Sequence, residues 1–228
     1  MKKQTFILAI FSLAIVGFIS CEKEALRKPT LELKFNTITS ESSLKSTSAN
    51  SIQFTGGHII LENIEFEAES DTDSLEVDFE IDAYITLDFA TGELTPDLSA
   101  IKLTPGYYTE IELEIELWDQ TEQPSIDLEG TWTDTNGTPH PIRLIMPLGQ
   151  TFSLEIEGEF NIQDNTAMTA YITIDPTAWF TGEAGELLPS ATTDSDGIIV
   201  ISPDQNYNIY DIIKDAIDHT SEIEIEME

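Results

Sequence analysis

From Leu75 to Phe89 the chain alternates without a break. Leu75, Val77, Phe79, Ile81, Ala83, Ile85, Leu87 and Phe89 fall on one side, and Glu76, Asp78, Glu80, Asp82, Tyr84, Thr86 and Asp88 on the other. A period of two separates those sets only in an extended strand; in a helix the apolar residues would be spread around the whole circumference. One face of the strand must therefore be dry and the other wet, which is the pattern of an antiparallel sheet covering a core. Fully extended, the stretch would span about 50 Å at ~3.3 Å per residue. Strands typically run about five or six residues. A bend or bulge near Ala83, or two strands continuing across a corner, is expected.

Other segments carry the same signal. Leu31, Leu33 and Phe35 alternate within Thr30–Phe35, and Ile111, Leu113, Ile115 and Leu117 alternate with Glu112, Glu114 and Glu116. Gly57–Phe66 alternates imperfectly. Phe152, Leu154 and Ile156 form another set, and Ala170, Ile172 and Ile174 one more. Thr104-Pro105-Gly106-Tyr107 is a turn signal. Asn136-Gly137, between Thr131–Thr133 and Pro141–Met146, suits a tight hairpin because both central residues need positive φ. Near the end the period changes: Ile209, Ile212, Ile213, Ala216 and Ile217 make one face of a helix, with Ser202-Pro203-Asp204 as its start region. Glu222–Glu228 alternates again, as an edge strand or a frayed end. The fold class read from these patterns is all-β: a mainly antiparallel β-sandwich with one short C-terminal helix.

The first twenty-one residues predict a location. Lys2 and Lys3 precede an apolar run from Phe6 to Phe18, and Ser20-Cys21 leads straight into Glu22-Lys23-Glu24. A basic start, a short apolar stretch and a small residue make a secretory signal. A spanning helix needs about 20 apolar residues, and Thr5–Ser20 is shorter. Cys21 is the only cysteine in the chain. It reads as the lipid acceptor of a bacterial lipoprotein signal, although Phe18 stands where such signals usually have Leu. The expected layout is a signal over 1–20, a lipidated cysteine and tether over 21–29, and a single sandwich domain with its helix over 30–228.

The formal net charge is −33. Such a field repels nucleic acid and anionic headgroups, so no nucleic-acid partner is expected, and the membrane is reached through the lipid anchor. Basic proteins and divalent cations are the species it attracts.

No catalytic constellation emerges. His58, His140 and His219 show no zinc-ligand spacing, and there is no nucleophile elbow or phosphate-binding loop. Carboxylates are too many to single out a glycosidase pair. Asp194-Ser195-Asp196-Gly197 resembles the middle of a calcium loop, making Asp194 and Asp196 weak metal candidates, with Asp71 and Asp73 as a second acidic turn. Thr192 and Pro203 occupy the positions where an EF-hand has acids, so Asp and Gly shaping a plain turn is the competing reading. Trp118, Trp132, Trp179, Tyr84, Tyr107 and Tyr108 are candidates for a sugar platform or for core packing.

Several segments together resemble the uncharacterised β-sandwich lipoproteins of Bacteroidota. They are Cys21-Glu22-Lys23-Glu24, Gly56-Gly57-His58-Ile59-Ile60-Leu61, Asp88-Phe89-Ala90-Thr91-Gly92, Pro105-Gly106-Tyr107-Tyr108, Pro176–Phe180 and Asn208–Ile213. The resemblance implies an outer-membrane lipoprotein, and the charged residues after Cys21 are similar to a surface-export signal. It carries no catalytic residues. A fainter likeness is to anchored fimbrial subunits. The expectation is a non-enzymatic, lipid-anchored surface module that binds glycan or protein, with no cofactor beyond weak structural calcium. The loops 40–51, 134–141 and 181–197 are the candidate binding loops. A fimbria-like structural subunit and a carboxylate-dependent glycoside hydrolase are the alternatives.

Overall fold

The computed structural model describes residues 26–38, 51–70, 76–98, 100–119, 123–147, 151–217 and 221–227, with backbone alone over 151–158 and 221–227. The segment 1–20, Cys21, the first half of the tether, nearly all of loop 40–51, the Asp71–Asp73 turn and His219 lie outside the described residues. The strands are β1 (Thr30–Thr37), β2 (Ser51–Glu69), β3 (Glu76–Asp88), β4 (Leu94–Thr95), β5 (Ile101–Lys102) and β6 (Gly106–Leu117). They continue with β7 (Ile126–Thr133), β8 (Pro139–Met146), β9 (Thr151–Ile162), β10 (Ala167–Ile174), β11 (Ile199–Ile201) and β12 (Ser221–Met227). Two helices, α1 (Glu183–Leu187) and α2 (Tyr207–Ala216), complete the set. The fold is all-β, in two sheets sharing one hydrophobic core.

The long strand β2 organises the larger sheet. One edge pairs with β3, and the other pairs first with β7 over Ser51–Ile59 and then with β6 over Leu61–Glu69. Ile60 is the changeover: its N–H donates to Ser125 O at 2.7 Å and its C=O accepts from Trp118 N at 3.0 Å. Beyond β7 come β8 and β11, and beyond β6 comes β9. Gly57, at φ +114, lets the backbones meet near this branch, because a Cβ there would lie 2.1 Å from Asp127 O.

The bend expected near Ala83 sits beside that changeover. Leu61 opposes Ile85 and Leu117, while Ile64 opposes Ile81 and Ile115. Between the same buried layers β6 takes two steps, β2 three and β3 four. Each strand outward carries one more residue, at Glu62–Asn63 in β2 and Ala83–Tyr84 in β3. Such bulges bend the strand and raise its twist. They also explain why Gly57–Phe66 alternates imperfectly, since the buried set changes parity from Ile59 and Leu61 to Ile64, Phe66 and Ala68.

The smaller sheet runs β12-β10-β1-β5. β1 lies parallel to β10, a pairing that needs a long crossover rather than a turn, and β8 with β11 is also parallel. Residues 221–227 are an edge strand antiparallel to β10, not a frayed end. Leu31, Phe35, Met168, Ile172 and Ile174 from this sheet share the core with Leu61, Phe66, Leu113 and Leu128 of the other.

The helix expected at the end is α2, burying Ile209, Tyr210, Ile213 and the following Ile217. Its start lies later than Ser202–Asp204. Ser202 Oγ accepts from the Asp204 and Gln205 N–H groups, which shapes a turn, and Asn206 at φ 55 precedes the first helical residue. The predicted loop 181–197 holds α1, a single short turn of helix with Ala184 fully buried.

Candidate interaction face

The outer face of the larger sheet is acidic by register. Across β2, Glu65 faces Glu80 on one side and Glu114 on the other, Glu67 faces Asp78 and Glu112, and Glu69 faces Glu76 and Glu110. β6 extends the rows, with Glu112 opposite Glu155 and Glu110 opposite Glu157. None of the ten Lys and Arg residues falls in β2, β3, β6 or β9. Directly opposite residues hold their Cβ atoms about 4.5–5.5 Å apart, and like charges placed so are destabilising. The arrangement by itself works against stability over several rows.

The electrostatics follow the geometry. Glu65 is held above its ordinary value of 4.5 by partial desolvation between its neighbours, and then by Glu80, Glu114, Asp78 and Glu112. Glu67 is raised in the same way, first by desolvation and then by Glu65, Glu112, Asp78 and Glu69. A shallow pocket of about 80 Å³ lies among Glu65, Glu67, Glu112 and Glu114. Glu65, Glu67 and Asp78 bring one carboxylate oxygen each within 4.8 Å of one another.

The bulge closes one end of this face with aromatics. Tyr84, 45% exposed, meets Trp118 edge-on with ring centroids 5.0 Å apart, and its hydroxyl donates to Gln123 Oε1 at 2.8 Å. The extra residue of β3 brings the pair together, which alternation alone does not reveal. The other aromatic candidates do not join them. Trp179 and Tyr108 are core residues, and the nearly buried Trp132 stacks on His140 at 5.0 Å. Trp132 instead forms one wall of a separate cleft of about 530 Å³, with Ile52, Thr177, Phe180 and Leu188.

Asp194 and Asp196 lie far along the chain from this face, in a tight turn. Asp194 Oδ1 accepts the N–H groups of Asp196 and Ile198, both at 2.9 Å, and Asp194 N donates to Ile198 O. Asp134-Thr135-Asn136-Gly137-Thr138 repeats this arrangement: Asp134 Oδ1 accepts from Asn136 and Thr138 at 2.8 Å, and Asp134 N donates to Thr138 O. Gly137 and Gly197 sit at φ +80 and +82 in matching positions. The turn chemistry accounts for Asp194 by itself. Asp134 is held down at about 2, chiefly by the Thr138 N–H, with His140 and Asn136 adding to it. Asn206 carries no motif in the sequence, yet it ties this region together: its side chain bonds the Thr192 N–H and C=O and the Val200 C=O. Of the histidines, His140 lies 3.4 Å from Asp134 and His58 stands opposite Asp88 in the β2–β3 register, well apart in the sheet.

The chain matches no family model, no curated protein and no solved structure. Register, charge and the aromatic end are what distinguish this face.

Proposed function

We propose that this is a non-enzymatic, lipid-anchored protein of the outer membrane that acts as an interaction module, and that its partner is a basic protein segment received on the acidic sheet face. The observation that carries the reading is the row-by-row opposition of carboxylates across β3, β2 and β6, with no Lys or Arg among them. A cationic partner relieves that repulsion on binding, so the strain in the free protein becomes selectivity for the opposite sign. The Tyr84–Trp118 pair adds an apolar surface with faces available to an Arg or Lys side chain. Lipidation at Cys21, outside the described residues, supplies the anchor in this reading, and the tether holds the face clear of the membrane.

The test is binding of the full chain, in detergent, to a lysine-rich protein, an acidic protein and neutral and anionic glycans. Binding to the basic protein is expected, weakening at least tenfold between about 0.05 and 0.5 M sodium chloride as charges are screened. Replacing Glu65, Glu67, Glu112 and Glu114 together by Gln should abolish it. Glycan binding that survives this replacement would overturn the reading. Filament formation would favour the fimbria-like alternative, and glycan turnover the hydrolase.

A further inference from the structure

The acidic face ends at a sheet edge that nothing in the described chain covers. The outer edge of β3 pairs with β4 only at Thr86 and Leu87, with Asp88 N donating to Glu93 O beyond them. From Glu76 to Ile85 that edge has no backbone partner among the described residues. The core side of the strand responds to the difference. Ile85 and Leu87, beside β4, are fully buried, whereas along the open stretch Phe79, Ile81 and Ala83 are only partly buried, with Val77 buried at its far end. An open edge offers alternate N–H and C=O groups as a template for another strand. Here it offers a strip of half-covered apolar side chains on one face and Glu76, Asp78, Glu80 and Asp82, all exposed, on the other.

We infer that residues 77–83 of β3 receive an extended partner segment as an added strand, one in which Lys or Arg alternates with apolar residues. The inference rests on the reading of the acidic face above and specifies how the partner docks. Charge selects the occupant. A second copy of this chain would set Asp78 and Glu80 against the same acids, so self-pairing is repelled. A basic strand in register sets its cations beside Asp78, Glu80 and Asp82, and its apolar residues continue the layer of Phe79 and Ile81. The acids thus guard the edge against copies of itself while leaving it open to the opposite sign.

The test titrates the full chain, in detergent, with a blocked eight-residue peptide of alternating lysine and valine. Two further peptides are N-methylated on every lysine or on every valine. A fourth has the same composition with the lysines grouped at one end. Because alternate amides of a strand point to opposite edges, methylation of one set blocks pairing and methylation of the other leaves it intact. Tight binding of the parent is expected. One methylated peptide should lose at least tenfold while the other keeps its affinity, the grouped peptide should bind at least tenfold more weakly, and amide exchange should slow within 77–83. Asp78→Lys with Glu80→Lys, at exposed positions, should weaken the parent at least tenfold without loss of the β circular dichroism signal. If all four peptides bind equally and exchange at 77–83 is unchanged, strand addition is wrong and the acidic face alone is the receptor. If none binds, and the lysine-rich protein does not bind either, the reading of the face fails with it.

Discussion

Glu67 stands directly opposite Asp78 in the β2–β3 register, with two carboxylates facing each other where a sheet ordinarily sets a compatible pair. Glu112 faces Glu67 from the other side, so this side chain is flanked by acid on both edges. Glu67→Lys should therefore stabilise the protein by converting two repulsive cross-strand pairs into attractive ones. Each pair contributes about 0.2–1 kcal/mol, a rise of a few degrees at most for a domain of this size. Thermal melting of the variant at low salt checks it. No rise, or a fall, would mean that the carboxylates are not opposed as the register has them.

The pH dependence follows from the same rows. The folded protein binds protons at Glu65 and Glu67 more tightly than the unfolded chain, because both are raised above 4.5. Their destabilising effect is complete at neutral pH and is relieved as pH falls through the raised values towards 4.5. Asp134 works in the opposite direction: its stabilising effect is complete above 3.8 and lost as pH falls through about 2. The melting temperature should climb as pH falls from 7 towards 4.5 and drop as it falls from 3.8 towards about 2. Glu65→Gln with Glu67→Gln should flatten the climb and leave the drop in place.

Gly92 should not tolerate a side chain. It adopts φ +74, and a Cβ there would lie 2.5 Å from Phe35 O, where the loop after β3 covers the edge of β1. Gly92→Ala is expected to cost about 1–3 kcal/mol through strain and displacement of that loop. Urea unfolding measures it. A neutral result would mean that the loop does not rest on β1.

For Asp194 and Asp196 the turn geometry predicts no ion-specific stabilisation. Melting in millimolar calcium and in sodium chloride at matched ionic strength should shift equally, by screening alone. Asp194→Asn keeps an oxygen for the Asp196 and Ile198 N–H groups and should change little, whereas Asp194→Ala should cost about 0.5–2 kcal/mol, as loss of a local cap does. A calcium-specific rise that disappears in Asp194→Asn/Asp196→Asn would assign an ion to this turn.

The anchor is tested by Cys21→Ser. Without the thiol there is no acceptor, so the protein should be released from the membrane or keep its N-terminal segment uncut. Membrane association and processing identical to the parent would remove lipidation from the account.

Side-chain parity is legible in the amino-acid sequence. The alternation of Val77–Leu87 and Ile111–Leu117 tells which residues face the core, because the faces of a strand follow from its own backbone. The length of the Leu75–Phe89 run demands a bend, and the i, i+4, i+8 spacing of Ile209, Ile213 and Ile217 places a helix face. Asn136-Gly137 announces a hairpin through local chemistry, but not its turn. Only Gly137 takes positive φ, and the connection is the longer Asp134–Thr138 loop closed by Asp134 N–H to Thr138 O, because Asp134 Oδ1 caps the Asn136 and Thr138 N–H groups. Parity does not say which strands are neighbours. The opposition of Glu67 to Asp78 and Glu112, the parallel pairing of β1 with β10, and the meeting of Tyr84 with Trp118 each depend on segments brought together over long separations. So does the edge of β3, left open among the described residues because β4 ends after two residues and the chain crosses to the other sheet. Alternation alone thus dictates a sheet with one acidic, wetted face. That the acids stand in rows and end at an edge unpaired among the described residues is a tertiary outcome, because register is set by long-range packing of the dry face and not by the charged residues that it brings together.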